Sequence, residues 1–265
     1  MRRDARKELC SAIMSQRIKD TTLASNFTAT QHSKAPTKLD SENNKLTKAL
    51  NILIVGASQG IGAGIVESYA RAGVANLILA ARGSSIDKVL AVERKAKEIA
   101  PSINTKCLDV DITSSPSVAK LVKAVKEEFG RLDVVVLNSG YSGPVVLKVD
   151  EGDPQDFRDV FDVNIIGTYA VAHHFIPLLK ETDGAKTFIA VNSFAALITS
   201  GHIANTAYCI SKFAQARFIE FISEQYGADG VLAVAVHPGA VNTEMADKTT
   251  PEGFRPCKLF LDACN

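Results

Sequence analysis

Tyr208 and Lys212, in the run Tyr208-Cys209-Ile210-Ser211-Lys212, are the first pair in this 265-residue chain able to do acid–base chemistry together. On a helix, side chains four apart share one face, one turn from each other. A phenol near its reference value of about 10 is a poor base at neutral pH. A neighbouring ammonium favours the phenolate and lowers that value. Such a tyrosine can give a proton to a carbonyl oxygen or take one from an alcohol. Alone, the pair fits a solvated helix face equally well, so its meaning depends on the rest of the chain.

A second cluster supplies context. The apolar run Ile52–Val55 leads straight into Gly56-Ala57-Ser58-Gln59-Gly60-Ile61-Gly62. In a strand–turn–helix unit, Gly56 allows the tight turn, Gly60 lets backbone approach a pyrophosphate, and Gly62 lets the helix pack on the sheet. The helix N-terminus then turns unpaired N–H groups and a positive dipole end toward phosphate. The end of the next apolar run reads Leu79-Ala80-Ala81-Arg82, with no acid to hold the ribose hydroxyls of NAD. A forked guanidinium suits the extra phosphate of NADP. Ser58 adds a hydroxyl, whereas Gln59 stands where a basic residue would be a clearer sign. NADP (NADPH) is favoured over NAD on these residues.

Six short runs rich in Val, Ile and Leu must position these groups: Ile52–Val55, Leu77–Ala80, Thr105–Leu108, Val134–Leu137, Thr187–Val191 and Val231–Val236. They do not alternate with polar residues, which is how strands buried on both faces read. Helices are expected from Gly62, over Ile86–Ile99, after Ser115-Pro116, after Asp153-Pro154 toward Pro177, and over Ala207–Tyr226. Strand–helix alternation of this kind predicts an α/β fold, a single doubly wound parallel sheet with helices on both faces.

Composition excludes several classes. Hydrophobic residues make up 46% and charged residues 22%, as in a soluble globular protein, and the net charge of +1 gives no reason to expect nucleic acid or membrane as partner. Charge is uneven: residues 1–48 hold ten basic and five acidic side chains, and the rest hold 20 and 24. Residues 1–47 therefore read as a basic, flexible arm, and 48–265 as one dinucleotide-binding and catalytic domain. The five cysteines lack C-x-x-C spacing and fit free thiols in a reducing compartment. With no apolar run long enough to span a bilayer, the expected location is cytoplasmic. The arm's Arg, Ser and Thr content fits a mitochondrial transit peptide, but Asp4, Glu8 and Asp20 weigh against one. His173-His174 have no third ligand at helical spacing, so no metal site is expected.

Further segments give the chain a family resemblance. Asp109-Val110, Asn138-Ser139-Gly140 after Phe129–Leu137, Phe161-Asp162-Val163-Asn164, the Tyr208–Lys212 pair, and His237-Pro238-Gly239-Ala240-Val241-Asn242-Thr243 follow the glycine turn in order. This ordered set resembles the short-chain dehydrogenase/reductase family, most of all its fungal members, and covers roughly residues 50–245. The resemblance implies a Rossmann fold and an oxidoreductase interconverting a carbonyl and an alcohol on a small organic substrate. It implies that Asp109 and Val110 meet the adenine ring, that Asn138 serves the cofactor site, and that Pro238, Gly239, Val241 and Thr243 hold the nicotinamide. Lys212 would grip the ribose and Asn164 would support proton transfer. A homodimer or homotetramer through the helices carrying Asn164 and Tyr208 is also implied.

The family's substrate-binding hydroxyl lies thirteen residues before its tyrosine, which here is Ala195. Aligning Val191-Asn192-Ser193 with the strand end gives Ser193 instead, fifteen before Tyr208, with a loop two residues longer. Ser193 is the expected carbonyl-binding group and Ser200 the alternative. Only 17 residues follow Lys248 and no seventh strand is evident. The alternative function is therefore a catalytically inert, cofactor-binding or truncated pseudoenzyme.

Overall fold

The computed structural model describes residues 43–199, 205–239 and 243–249, together with Thr37, Ser41 and Val241. Most of the expected arm, and Ser200, lie outside the described residues. Six strands form one sheet: β1 (Asn51–Val55), β2 (Asn76–Ala81), β3 (Asn104–Asp109), β4 (Val134–Leu137), β5 (Thr187–Val191) and β6 (Leu232–Val236). Their order is β3-β2-β1-β4-β5-β6 and every neighbouring pair is parallel. Between them run α1 (Gly60–Arg71), α2 (Ile86–Ile99), α3 (Ser115–Phe129), α4 (Pro154–Phe161), α5 (Gly167–Glu181) and α6 (Thr206–Tyr226), with a short α7 (Glu244–Thr249) after β6. This is the doubly wound Rossmann arrangement. The strand order reverses between β1 and β4, so a crevice opens at their carboxyl ends, where ligands bind in such sheets.

Alternate residues of each strand feed two cores. Leu53, Val55, Ile78, Ala80, Val135 and Leu137 pack toward α3, α5 and α6. Ile52, Ile54, Leu77, Leu79, Val134 and Val136 pack toward α1 and α2. A central strand thus buries both faces, which accounts for the unbroken apolar runs. A buried carboxylate pins the far end of the sheet: Asp133 accepts from the Asn51 N–H at 2.8 Å and from the Thr182 hydroxyl at 2.6 Å.

Three expectations need correction. Full burial holds for β1, β2 and β4, but β3 and β6 are edge strands with much of their length exposed or half-buried. Pro177 does not end its helix; it sits inside α5, which continues to Glu181. The carbonyl that proline leaves without a helical partner is that of His173, four residues back on the exposed face, where water can serve it. Ser114, rather than Ser115, caps α3, accepting from the Ser117 N–H at 3.4 Å. The cap on α4 is as expected, with Asp153 accepting from Gln155 N–H at 2.7 Å. His173 stacks on Tyr169 and His174 hydrogen-bonds Ser115 at 2.9 Å. No helix among the described residues is long and apolar enough to cross a membrane.

Candidate active site

The glycine turn is fixed by close approaches that only glycine permits. Gly56 has φ +90°, and a Cβ there would lie 2.7 Å from Ser139 N at the end of β4. Its N–H and that of Ala57 both point to the Ala80 carbonyl, at 2.7 and 3.2 Å. A Cβ on Gly62 would lie 2.0 Å from the Gly56 carbonyl oxygen and 2.7 Å from Asn138 Nδ2. Asn138 Nδ2 donates to that same carbonyl at 2.8 Å, so its side chain braces the turn from behind. Gly60 has φ +55° and lies against the Thr243 methyl, which brings the segment after β6 over the turn. Ser58 is half-buried, Gln59 is exposed and Ile61 packs on the α1–α2 core. Helix α1 has no acid in its first turn, leaving its dipole end uncompensated. Gly62→Ala is expected to cost at least about 3 kcal/mol through overpacking and to abolish any nucleotide-dependent rise in melting temperature. Thermal melts of the variant with and without nucleotide check this.

Arg82 follows β2 directly and is exposed, with extended backbone at φ −62° and ψ 145°. Asp109 ends β3 beside Ala81, and its carboxylate lies against Gly83. Val110 is buried and its N–H donates to the Ala81 carbonyl at 2.9 Å. A basic group that sequence reasoning missed reaches the same corner: Lys88 Nζ, from the first turn of α2, donates to Gln59 Oε1 at 2.6 Å and lies 3.6 Å from Glu244. Lys88 thus sets a positive charge beside Gln59, paired there with the Glu244 carboxylate.

At the ends of β4 and β5 the other candidates converge. The Ser193 hydroxyl acts on the Tyr208 phenol, and Ser193 Oγ accepts from the Ala195 N–H at 3.1 Å. Burial raises the Tyr208 phenol above its ordinary value; the Ser193 hydrogen bond pulls it down and Cys209 pushes it up slightly. Lys212 is buried, and burial lowers its ammonium to about 8. The expected lowering of the phenol by Lys212 is absent from this balance. Lys212 Nζ stands 5.8 Å from the Tyr208 ring centre and turns inward, donating to the Val191 carbonyl at 2.9 Å and Gln215 Oε1 at 3.0 Å.

Asn164 is fully buried in a π-helical turn, Asp162–Ile166, between α4 and α5. Its side chain donates to the Tyr141 carbonyl at 2.8 Å and to Ser211 Oγ at 2.9 Å, and accepts from the Tyr141 N–H at 2.9 Å. Such turns free a carbonyl from the regular ladder and recur at functional sites. Here the Asn164 carbonyl takes the Thr168 hydroxyl at 2.7 Å and Gln215 Nε2 at 3.3 Å. Gly140 fits between them: a Cβ there would be 3.4 Å from Asn164 Oδ1 and 3.6 Å from Lys212 Nζ. Pro238 is exposed, and Gly239 has φ +84°. Val241 is half-buried, and Thr243 Oγ1 accepts from the Ala246 N–H at 3.1 Å to start α7. Asn192, Ser211 and Gln215, all buried, were not singled out from the sequence.

Comparison with known proteins agrees with this architecture. A family model described as short chain dehydrogenase matches residues 50–253. The short chain dehydrogenase pgmD of Aspergillus terreus is 32% identical over 234 residues, covering 85% of this chain and 75% of that protein. An NADPH-dependent pterin aldehyde reductase of Arabidopsis thaliana is 31% identical over 202 residues, 76% of this chain and 79% of that one. Among solved structures, a short chain dehydrogenase of Shigella flexneri complexed with NADP superposes with a TM-score of 0.71 at 26% identity, over 79% of this chain and 84% of that chain. With its glycine turn at the β1–β4 crevice and a family match running from β1 past β6, the chain belongs to the short-chain dehydrogenase/reductase family of oxidoreductases.

Proposed function

We propose that this chain is an NADPH-dependent reductase that converts a carbonyl on a small organic substrate to an alcohol, with Tyr208 as proton donor. The observation that carries this reading is the Tyr208 ring centred 5.8 Å from Lys212 Nζ, its phenol raised by burial and so protonated across the neutral range. A carbonyl oxygen seated between Ser193 Oγ and Tyr208 Oη would be polarised by the first and protonated by the second. Asn164 holds the Tyr141 backbone and Ser211, keeping α6 and the loop after β4 in register for that contact.

The residues present fit a dinucleotide. Gly56 and Gly60 adopt positive φ beside an α1 N-terminus with no acid in its first turn, a cradle for pyrophosphate. Asp109 and Val110 would flank the adenine, and Pro238, Gly239, Val241 and Thr243 the nicotinamide end. Lys212 would hold the ribose. When bound, the cofactor supplies the hydride for reduction. Arg82 and Lys88 by charge, and Ser58 by its hydroxyl, support NADPH over NADH, as does the NADPH dependence of the Arabidopsis relative. Arg82→Ala is expected to weaken NADPH binding about 10- to 100-fold, the worth of a charged hydrogen bond, and to leave NADH unchanged. Titration calorimetry with each nucleotide checks this.

One observation favours a second reading. Lys212 spends its hydrogen bonds on Val191 and Gln215, an arrangement that also fits a cofactor-binding protein without turnover. NADPH binding with no consumption across a broad panel of aldehydes and ketones would select that reading. The outer surface of the π-helical turn, α5 and α6, with Ile166, Tyr169, Phe213 and Phe221 all more than half exposed, supports a homodimer. Sedimentation equilibrium is expected to return twice the 28.3 kDa chain mass.

A further inference from the structure

Buried polar residues are hydrogen-bonded as a rule, and Gln215 is a fully buried side chain whose bonds all run to the groups around Lys212. Its Oε1 accepts from Lys212 Nζ at 3.0 Å and Asn192 Nδ2 at 3.1 Å. Its Nε2 donates to Thr168 Oγ1 at 2.8 Å and to the Asn164 carbonyl at 3.3 Å. One amide therefore ties α6 to the end of β5, to the π-helical turn and to α5. We infer that Gln215 is the positioning residue for the Lys212 ammonium, its oxygen holding Nζ at a set distance from Tyr208 while its nitrogen anchors it to the Asn164 backbone.

A neutral amide is suited to this task. Its oxygen satisfies an ammonium that would otherwise keep only the Val191 carbonyl, without the full charge of a carboxylate that would fix the lysine in an ion pair. The titratable side chain placed near Nζ is Tyr208, on α6 itself, its ring centre 5.8 Å away. From the other elements come the polar groups of Asn164, Thr168 and Asn192. His237, beyond β6, is taken up by the Phe194 N–H at 3.2 Å. Burial lowers the lysine, and the Gln215 oxygen at 3.0 Å is one of the two acceptors placed to offset that cost.

The inference rests on the Tyr208–Lys212 reading of the site, and its test separates the two. Gln215→Met keeps the volume and removes the acceptor; Gln215→Glu keeps the shape and adds charge. Every partner of Gln215 retains another bond: Asn192 Nδ2 to the Lys212 carbonyl, the Thr168 hydroxyl to Asn164, and Lys212 to Val191. The full chain, labelled with carbon-13 at the lysine ε position and assigned with Lys212→Met, reports the lysine titration by NMR without turnover. Gln215→Met is expected to lower the Lys212 midpoint by about one pH unit and Gln215→Glu to raise it, the size of one hydrogen bond. The alkaline limb of kcat for NADPH-dependent reduction moves with it in both variants, while KM for the carbonyl stays near wild type. Midpoints unchanged in both folded variants, or equal losses of kcat with no displacement of the limb, would overturn the role. Ordered NMR midpoints in a chain with no turnover would uphold Gln215 as the lysine's anchor and overturn only the reductase reading.

Discussion

Tyr208→Phe lowers kcat/KM for NADPH-dependent carbonyl reduction by about 10³-fold, the middle of the range for removing one positioned proton donor. The ring keeps its place on α6 between Ser193 and Lys212, and only the hydroxyl is lost. Because the phenol is held above its ordinary value by burial, wild-type activity should be flat through neutral pH and fall only on the alkaline side. The variant should lose the phenol's part of that limb along with the rate, while the part that follows Lys212 remains. Its nucleotide-induced rise in melting temperature should equal that of wild type, since the glycine turn and Arg82 are untouched. A variant that keeps more than a tenth of the wild-type rate would show that the proton comes from elsewhere, with Ser193 the nearest hydroxyl.

Lys212→Met is expected to separate activity from stability more sharply. A lysine drawn by burial from 10.5 to about 8 is a folded-state burden. Between those values the unfolded chain binds more protons than the folded one, so stability rises with pH across that window. The burden, about 3 kcal/mol, is fully present below pH 8 and is gone above about pH 10.5. Methionine removes it but leaves the Val191 carbonyl without this donor, which costs about 1–3 kcal/mol. At neutral pH the melting temperature should therefore stay at wild type or rise by a few degrees. Turnover should fall by about 10²-fold or more, because the phenolate left after proton donation loses its neighbouring charge. Melts at neutral pH and at pH 10 check the stability half, and the variant's advantage should shrink at the higher pH. A drop of many degrees at neutral pH would mean that the ammonium stabilises the fold.

The parts of this protein legible in its sequence are those set by local pattern. β1, β2 and β4 are buried on both faces, so their apolar runs announced them, and Gly56 and Gly62 announced the turn between β1 and α1. Which strands lie at the edges depends on sheet order, although Thr105 and Lys106 already set the half-exposed β3 apart from its apolar neighbours. Pro177 misled because its cost depends on whether the orphaned carbonyl faces water, which a pattern does not record. The Ser193 assignment turned on a loop length, which no local pattern records, and on Ala195 having no hydroxyl to offer. Lys88 reaches Gln59 across 29 positions of chain, so no local motif could place it there. Gln215 did leave a signal. It lies one turn beyond Ser211 and Lys212 on the buried stripe of α6 that continues through Ile219 and Ile222. A polar residue on such a stripe must have buried partners.

The most direct test of the account is the consumption of NADPH by the purified full chain, followed by nicotinamide absorbance against a panel of small aldehydes and ketones, with NADH in parallel. The account predicts carbonyl-dependent oxidation of NADPH, markedly slower with NADH, and abolished in Tyr208→Phe. Oxidation that proceeds equally well in Tyr208→Phe, or no carbonyl-dependent oxidation of either nucleotide, would contradict it.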